Sequence, residues 1–252
     1  MPKLSEIVAA LDKEYPFEGA CSYDNVGLLV GRADREVKKV LVSLDLTLAV
    51  VREAREKGAD LILSHHPVIF HEIKKITDET YTGGLLLDLI ESGVAAVALH
   101  TNFDRAERGN NDALALALGA KEYERLEDGF ATAFDLEKEV SLDVFAEEVR
   151  RRLGDPAIRT IGEGKVSKVI AACGAGISEE LIMKAKTTDA VLVTADVKHN
   201  YASMARDLGV RLVETTHYGS EWVFTERVTN YLAGKFDDLE LFVSKRNINP
   251  YD

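Results

Sequence analysis

Cysteine is scarce in this chain: of 252 residues only Cys21 and Cys173 carry a thiol. They stand far apart and outside any CxxC pattern, which excludes a disulfide framework and a cysteine-based zinc site and fits a reducing cytoplasm, where we expect the protein. Long apolar runs are missing as well. Asp12 and Glu14 interrupt the amino-terminal segment, and no later run approaches the length of a membrane span, so a soluble protein without a membrane partner is expected. Positive charge is in deficit: Lys and Arg number 31 against 43 Asp and Glu, a formal charge of −12. A general nucleic-acid surface is basic, so the balance disfavours nucleic acid as a partner, although a local positive pocket is compatible with an acidic total.

What is present is enough apolar material for a sizeable core, 46% of the residues, and a length that suits one large domain or two smaller ones. The pattern favours two. Leu4, Ile7, Val8 and Leu11 have helical spacing. Ser22 to Gly31 reads as a turn entering a short strand, with Asp24 either a cap or a supporting residue. Lys38 to Asp45 is a β-branched strand, Thr47 can cap a helix from Leu48 to Lys57, and Gly58 stops that helix before the next apolar strand. A helix through Leu85 and Leu89 ends at Gly93, and an apolar strand then runs into His100, Asn102 and Asp104. Asn111 is placed to cap a helix from Asp112 to Leu118. Polarity rises between Lys121 and Gly129. Beyond it a strand in FATAFDL, a helix from Leu142 to Leu153 and a strand near Ile158 restart the pattern. Lys168 to His199 repeats the earlier grammar, with Val169 to Asp189 spaced as Val40 to Asp60. Gly174, Ala175 and Gly176 read as a tight turn and not as a phosphate loop: the Lys-Ser/Thr of a P-loop is absent, and acidic residues occupy the following helix start.

The stretch on which function turns is Leu61 to Phe70, LILSHHPVIF. Asp60 and Pro67 bound its apolar run, which puts His65 and His66 just past the carboxyl end of a central strand, where open α/β sheets place ligands. Neighbouring side chains within a strand face opposite ways, but past its end that restriction relaxes, and both histidines can serve one site. Alone, such a pair more often means solvated loop histidines. Likewise His217 and Glu221, four apart at a helix start, could form only a local hydrogen bond. Convergence changes the reading. His65, His66, Asp104, His217 and Glu221 all follow apolar strands. Three imidazoles and two carboxylates suit first-row divalent ions such as Zn, Fe, Mn, Co or Ni, and not a calcium or thiolate site. Five side chains exceed the needs of one open zinc, so two ions about 4 Å apart are expected, with Glu221 as a bridge.

These residues carry a resemblance. DNVGLLVG, SHHP, TNFD, the GAG turn and HYGSE occur in the order of the dinuclear-metal family labelled GTP cyclohydrolase I type 2, also called NGG-interacting-factor-like, and span nearly the whole chain. The resemblance implies metal ligands His65, His66, Asp104, His217 and Glu221, two related α/β lobes with mixed, largely parallel sheets, a metal site at strand carboxyl ends between the lobes, and a ring-like homohexamer. Asp196 and His199 look like a further polar patch. The long middle insertion of some family members is absent. We expect residues 1–125 and 214–252 to form the metal-binding lobe and 126–213 the second. The implied activity is a dinuclear metal-dependent hydrolase, GTP cyclohydrolase-like or acting on modified or damaged purine nucleotides. Metal-bound water is its proposed nucleophile, and Lys74, Lys75, Arg105 and Arg108 are candidates to hold phosphate. The competing class is a metal-stabilised oligomeric scaffold for a protein or nucleic-acid partner.

Overall fold

The computed structural model describes residues 1–251, which fall into two compact units. The first comprises Met1–Phe103 with Phe224–Ile248, and the second Asp104–Val223 with the residues from Asn249. In chain order the first unit begins with α1 (Leu4–Glu14), β1 (Gly27–Val30), β2 (Lys39–Ser43), α2 (Leu48–Lys57), β3 (Leu61–Ser64), α3 (Tyr81–Ser92) and β4 (Ala95–Ala98). The short α4 (Thr101–Asp104) follows, and its last residue already belongs to the second unit. The second unit continues through α5 (Asn110–Ala117), β5 (Glu124–Leu126), β6 (Ala131–Ser141), α6 (Leu142–Leu153), β7 (Arg159–Ile161) and β8 (Lys165–Ala171). After these come α7 (Glu179–Thr188), β9 (Val191–Thr194), α8 (His199–Leu208), β10 (Leu212–Glu214) and α9 (His217–Glu221). The chain then returns to the first unit through α10 (Val223–Lys235) and β11 (Glu240–Val243).

Each unit is built on its own mixed sheet. The first has strand order β1-β4-β3-β2-β11, antiparallel only at β1–β4. Its parallel core follows from sequence: every residue of β3 and β4 is buried, as strands covered on both faces require. Leu41, Ile62 and Ala96 pack with Val50, Val51, Leu85 and Leu89 of α2 and α3. Because β2, β3 and β4 run parallel, their carboxyl ends share one edge, and the residues after Ser43, Ser64 and Ala98 gather there.

The second sheet has order β5-β6-β8-β9-β10-β7, with β8, β9 and β10 parallel. Its strands alternate between two cores. Val169, Ala171, Val191, Val193 and Val213 join Phe145 and Val149 of α6, whereas Ile170, Leu192 and Leu212 join Leu181 and Ile182 of α7 and Ala205 of α8.

The expected caps of α2 hold: Thr47 accepts from the Val50 amide at 3.3 Å, and Gly58 ends the helix with φ 62°. One expectation fails. The helix placed after Asn111 begins at Asn110 with Gly109 as its cap, and Asn111 lies inside it. The Asn111 side chain is committed elsewhere. Its amide donates to the Asp104 carbonyl at 3.1 Å, and its oxygen accepts from the Cys173 amide at 2.9 Å.

Candidate metal centre

In the first unit three histidines stand at the shared carboxyl edge of the parallel strands. β3 ends at Ser64, so His65 and His66 escape strand alternation, and their ring centroids lie 4.9 Å apart. His65 is fully buried against Phe224, centroids 5.1 Å apart, and its Nδ1 lies 2.7 Å from the Leu99 carbonyl oxygen. His66 Nδ1 lies 2.7 Å from Asp45 Oδ1. Asp45 is itself held: its Oδ2 accepts from Asn247 Nδ2 at 3.0 Å, while Asn247 Oδ1 accepts from the Leu44 and Asp45 amides at 2.7 and 2.8 Å. His100, after β4, places Nδ1 2.8 Å from Asp24 Oδ1. Asp24 also accepts from the Thr101 amide at 3.0 Å and from the Thr101 hydroxyl. Burial raises the Asp24 pKa, but the hydrogen bonds and the nearby His100 outweigh it and bring it down to about 2.

Each of these imidazoles therefore faces an oxygen acceptor at Nδ1. An acceptor there fixes the proton on Nδ1 and the lone pair on Nε2, the arrangement that a metal-ligating histidine needs. His65, His66 and His100 offer ligand atoms within 4.8 Å of one another. The sequence had placed His100 at a strand end without giving it a ligand's role.

In the second unit Asp104, buried, receives Asn110 Nδ2 at 2.8 Å, and Cys173 Sγ lies 3.4 Å from the same Oδ1. Burial pushes the Cys173 thiol well up, and the charges of Asp104 and Glu221 push it further, so it stays protonated and offers no thiolate. His217 opens α9, which Thr216 caps by accepting from the Gly219 amide at 3.0 Å. His217 Nδ1 lies 2.7 Å from Asp196 Oδ2, and its Nε2 lies 3.0 Å from Oε2 of buried Glu221. The four-residue spacing thus stacks the two on one side of the short helix. The Thr215–Thr216 turn hangs on Asp155, which accepts from the Thr216 amide at 2.6 Å and from both threonine hydroxyls. Burial raises the Asp155 pKa, but these bonds and that from the Ala157 amide leave it below the usual value.

The GAG turn has a second reason beyond tightness. Gly174 has φ 55°, and a Cβ there would collide with Glu221 Oε1 and lie 3.1 Å from His217 Nε2. The position is a cradle that only glycine leaves open for the carboxylate. Of the sequence-level polar patch, Asp196 orients His217, and His199 is exposed at the start of α8. Among the basic candidates Lys74 and Lys75 are exposed, Arg105 lies over the Phe130 ring, and the Arg108 amide donates to Asp112 at 2.8 Å.

The first unit thus holds three imidazoles, and the second one, with the proton position set by an oxygen acceptor, and the second adds two buried carboxylates. Nitrogen and carboxylate donors without thiolate match borderline divalent ions, so the donor chemistry fits a metal. The architecture is that of a two-unit α/β protein with His, Asp and Glu side chains that could hold a metal ion. The chain belongs to the Duf34/NIF3 (NGG1p interacting factor 3) family, whose model matches residues 2–250. It is 33% identical over 236 residues to "GTP cyclohydrolase 1 type 2" of Helicobacter pylori, covering 92% of each chain. It is 30% identical over 260 residues to "GTP cyclohydrolase 1 type 2 homolog" of Clostridium perfringens, covering 99% of each. A crystal structure of a Staphylococcus aureus hypothetical protein superimposes with a TM-score of 0.90 at 28% identity, over 99% of this chain and 98% of that one. Reduced HcgD from Methanocaldococcus jannaschii gives 0.85 at 26% identity, over 97% and 98%. Among the described residues no helix is long and apolar enough to cross a membrane.

Proposed function

We propose that the chain is a dinuclear metal-dependent hydrolase, GTP cyclohydrolase-like or acting on modified or damaged purine nucleotides, with His65, His66, Asp104, His217 and Glu221 as its metal ligands. The reading takes all five side chains as ligands and the chain as a homohexamer. The observation that carries it is the consistent fixing of Nδ1 on His65, His66 and His217 by Leu99 O, Asp45 and Asp196, which a histidine needs to present Nε2 to a metal.

Two divalent ions, when bound, would polarise the bond attacked and acidify a water molecule near neutral pH. The chain's own contribution is orientation. Asp45 and Asp196 hold the His66 and His217 rings, Gly174 leaves room for the Glu221 carboxylate, and the protonated Cys173 thiol donates to Asp104 without competing as a charged ligand. The test is elemental analysis of mildly purified protein, with about two divalent ions per chain expected. Glu221→Gln would replace a carboxylate proposed to hold the ions by a neutral amide, and we expect loss of one ion and a fall in nucleotide hydrolysis of ~100-fold or more, with particle size unchanged. Trace metal only, or unchanged turnover after loss of an ion, would overturn the mechanism. Collapse of the assembly would favour the scaffold.

A further inference from the structure

We propose that Asn247 is a positioning residue for His66: through Asp45 it dictates which nitrogen of that imidazole carries the proton and which is left to meet a metal ion. The side chain is buried, and its contacts with Leu44, Asp45 and Ser244 lie within the first unit. Its oxygen accepts from the Leu44 and Asp45 amides at 2.7 and 2.8 Å, and its Nδ2 donates to Asp45 Oδ2 at 3.0 Å. Backbone amides can only donate, so Asn247 cannot turn round without setting its own NH2 group against two N–H groups. Its direction is thereby fixed, and it presents a donor to Asp45. The other oxygen of that carboxylate, Oδ1, lies 2.7 Å from His66 Nδ1. A carboxylate can accept on both sides; an amide in its place could accept on only one.

The same turn holds the backbone of the histidine pair. The Leu44 carbonyl accepts from the His65 and His66 amides at 3.1 and 3.0 Å, so Asn247 grips the residue from which both histidines hang. Asn247 is itself anchored. Its amide donates to Ser244 Oγ at 3.2 Å, and Ser244 Oγ donates to Glu53 Oε2 at 2.6 Å. Glu53, buried on α2, also accepts from the Lys245 and Arg246 amides. A buried carboxylate is costly unless well bonded, and this one spends its bonds on the three residues that lead into Asn247. A tail that only closed the sheet would need the pairing of β11 with β2 and no more. The residue type also follows from the network. An aspartate at 247 would meet Asp45 with like charge, and a leucine of similar size would leave two amides without an acceptor.

The inference rests on the proposed ligand role of His66 for its consequence, whereas the place of the proton can be read without metal. Long-range nitrogen–proton NMR of the full chain after chelation distinguishes the two ring tautomers, and competition with a chelator measures zinc affinity. In the parent we expect the His66 proton on Nδ1. In Asp45→Asn the new amide has one oxygen to offer two donors. Asn247, which cannot turn, takes it, so the new NH2 group faces His66 Nδ1, the ring proton moves to Nε2, and zinc affinity falls by roughly 10- to 100-fold. Adding Asn247→Asp should reverse both changes: the carboxylate still accepts from the two backbone amides and now also from the amide at position 45, whose oxygen turns back to His66. Asn247→Ala, which removes the clamp without adding charge, should leave both tautomers populated and weaken zinc by about 10-fold. The role is overturned by a proton on Nε2 in the parent, by one wholly on Nδ1 in Asn247→Ala, or by one that stays on Nε2 when Asn247→Asp joins Asp45→Asn. A double variant that binds zinc more weakly than Asp45→Asn overturns it too. If Asp45→Asn fails to fold, a folded double variant with the proton on Nδ1 supports the role directly. A tautomer that switches and returns in a chain that never takes up zinc upholds Asn247 and sinks the ligand reading of His66.

Discussion

The β2–α2–β3 and β8–α7–β9 segments are one plan used twice. Both pair parallel strands, both helices have ten residues, and both are capped by a hydroxyl, Thr47 accepting from Val50 and Ser178 from Leu181. Both helices also end on a left-handed residue, Gly58 in one and Asp189 in the other. The roles at the strand ends are exchanged. In the first unit the second strand delivers the histidine pair, and Asp45, after the first strand, holds His66. In the second unit Asp196, after the second strand, holds His217, while the loop after the first strand contributes the empty space at Gly174. Asp45 and Gly174 have the same offset from Val40 and Val169, yet one supplies a carboxylate and the other makes room for one. A shared scaffold fixes where a functional group can stand and leaves open what that group does.

The exchange can be broken most strongly at Gly174. Gly174→Ala puts a methyl group against Glu221 at a left-handed residue, and we expect a loss of about 2 kcal/mol or more in chemical denaturation, together with reduced metal content. An unchanged denaturation midpoint would mean that Glu221 moves aside freely. The orienting carboxylates come next. Asp45→Ala and Asp196→Ala should each weaken metal affinity by roughly 10- to 100-fold in competition with a chelator, and a similar size for the two would show the exchanged roles to be equivalent.

A subtler comparison sets Asp24 against Asp155, since each anchors the backbone beside a histidine, at Thr101 and at Thr216. Both folded pKa values lie below the ordinary 3.8, that of Asp24 at about 2. Their stabilisation is therefore complete above the ordinary carboxylate range and lost as pH falls through the folded values. Asp24→Asn and Asp155→Asn should flatten the acid side of the stability–pH curve below about pH 4 and lower stability at neutral pH; an acid limb identical to that of the parent would exclude them as its source. The smallest effect belongs to the helix ends. Gly58→Asp should cost up to about 1 kcal/mol, because the site is sterically open and only backbone conformation is at stake. Asp189→Gly should gain less than that in thermal melts, since it also removes the contact with Arg211.

Much of this was legible because it is local. The apolar runs of β3, β4 and β9, the Thr47 and Ser178 caps and the stop at Gly58 are written within a few residues of where they act. The supporting carboxylates are not written that way. Asp45 meets His66 across 21 positions, Asp24 meets His100 across 76, and Asp155 meets Thr216 across 61. An aspartate in a turn looks the same whether it caps its own backbone or reaches a distant ring. Asn111 shows the converse error, a good capping residue by type that spends its amide on Asp104 and Cys173. Gly174 could be read as a turn, but not as a cavity for Glu221, because the carboxylate comes from another helix.

The first sheet ends in a strand that arrives late. β11 pairs with β2, and just beyond it Ser244 and Asn247 tie themselves to Glu53 and Asp45. On a ribosome, residues 224–248 emerge only after the whole run from 104 to 223. The second unit's central strands can therefore pair while the amino-terminal unit still lacks an edge and while the carboxylate behind His66 is unheld. The first unit is thus completed by a segment made after the second, and Asp45, which faces His66, gains its Asn247 support only then.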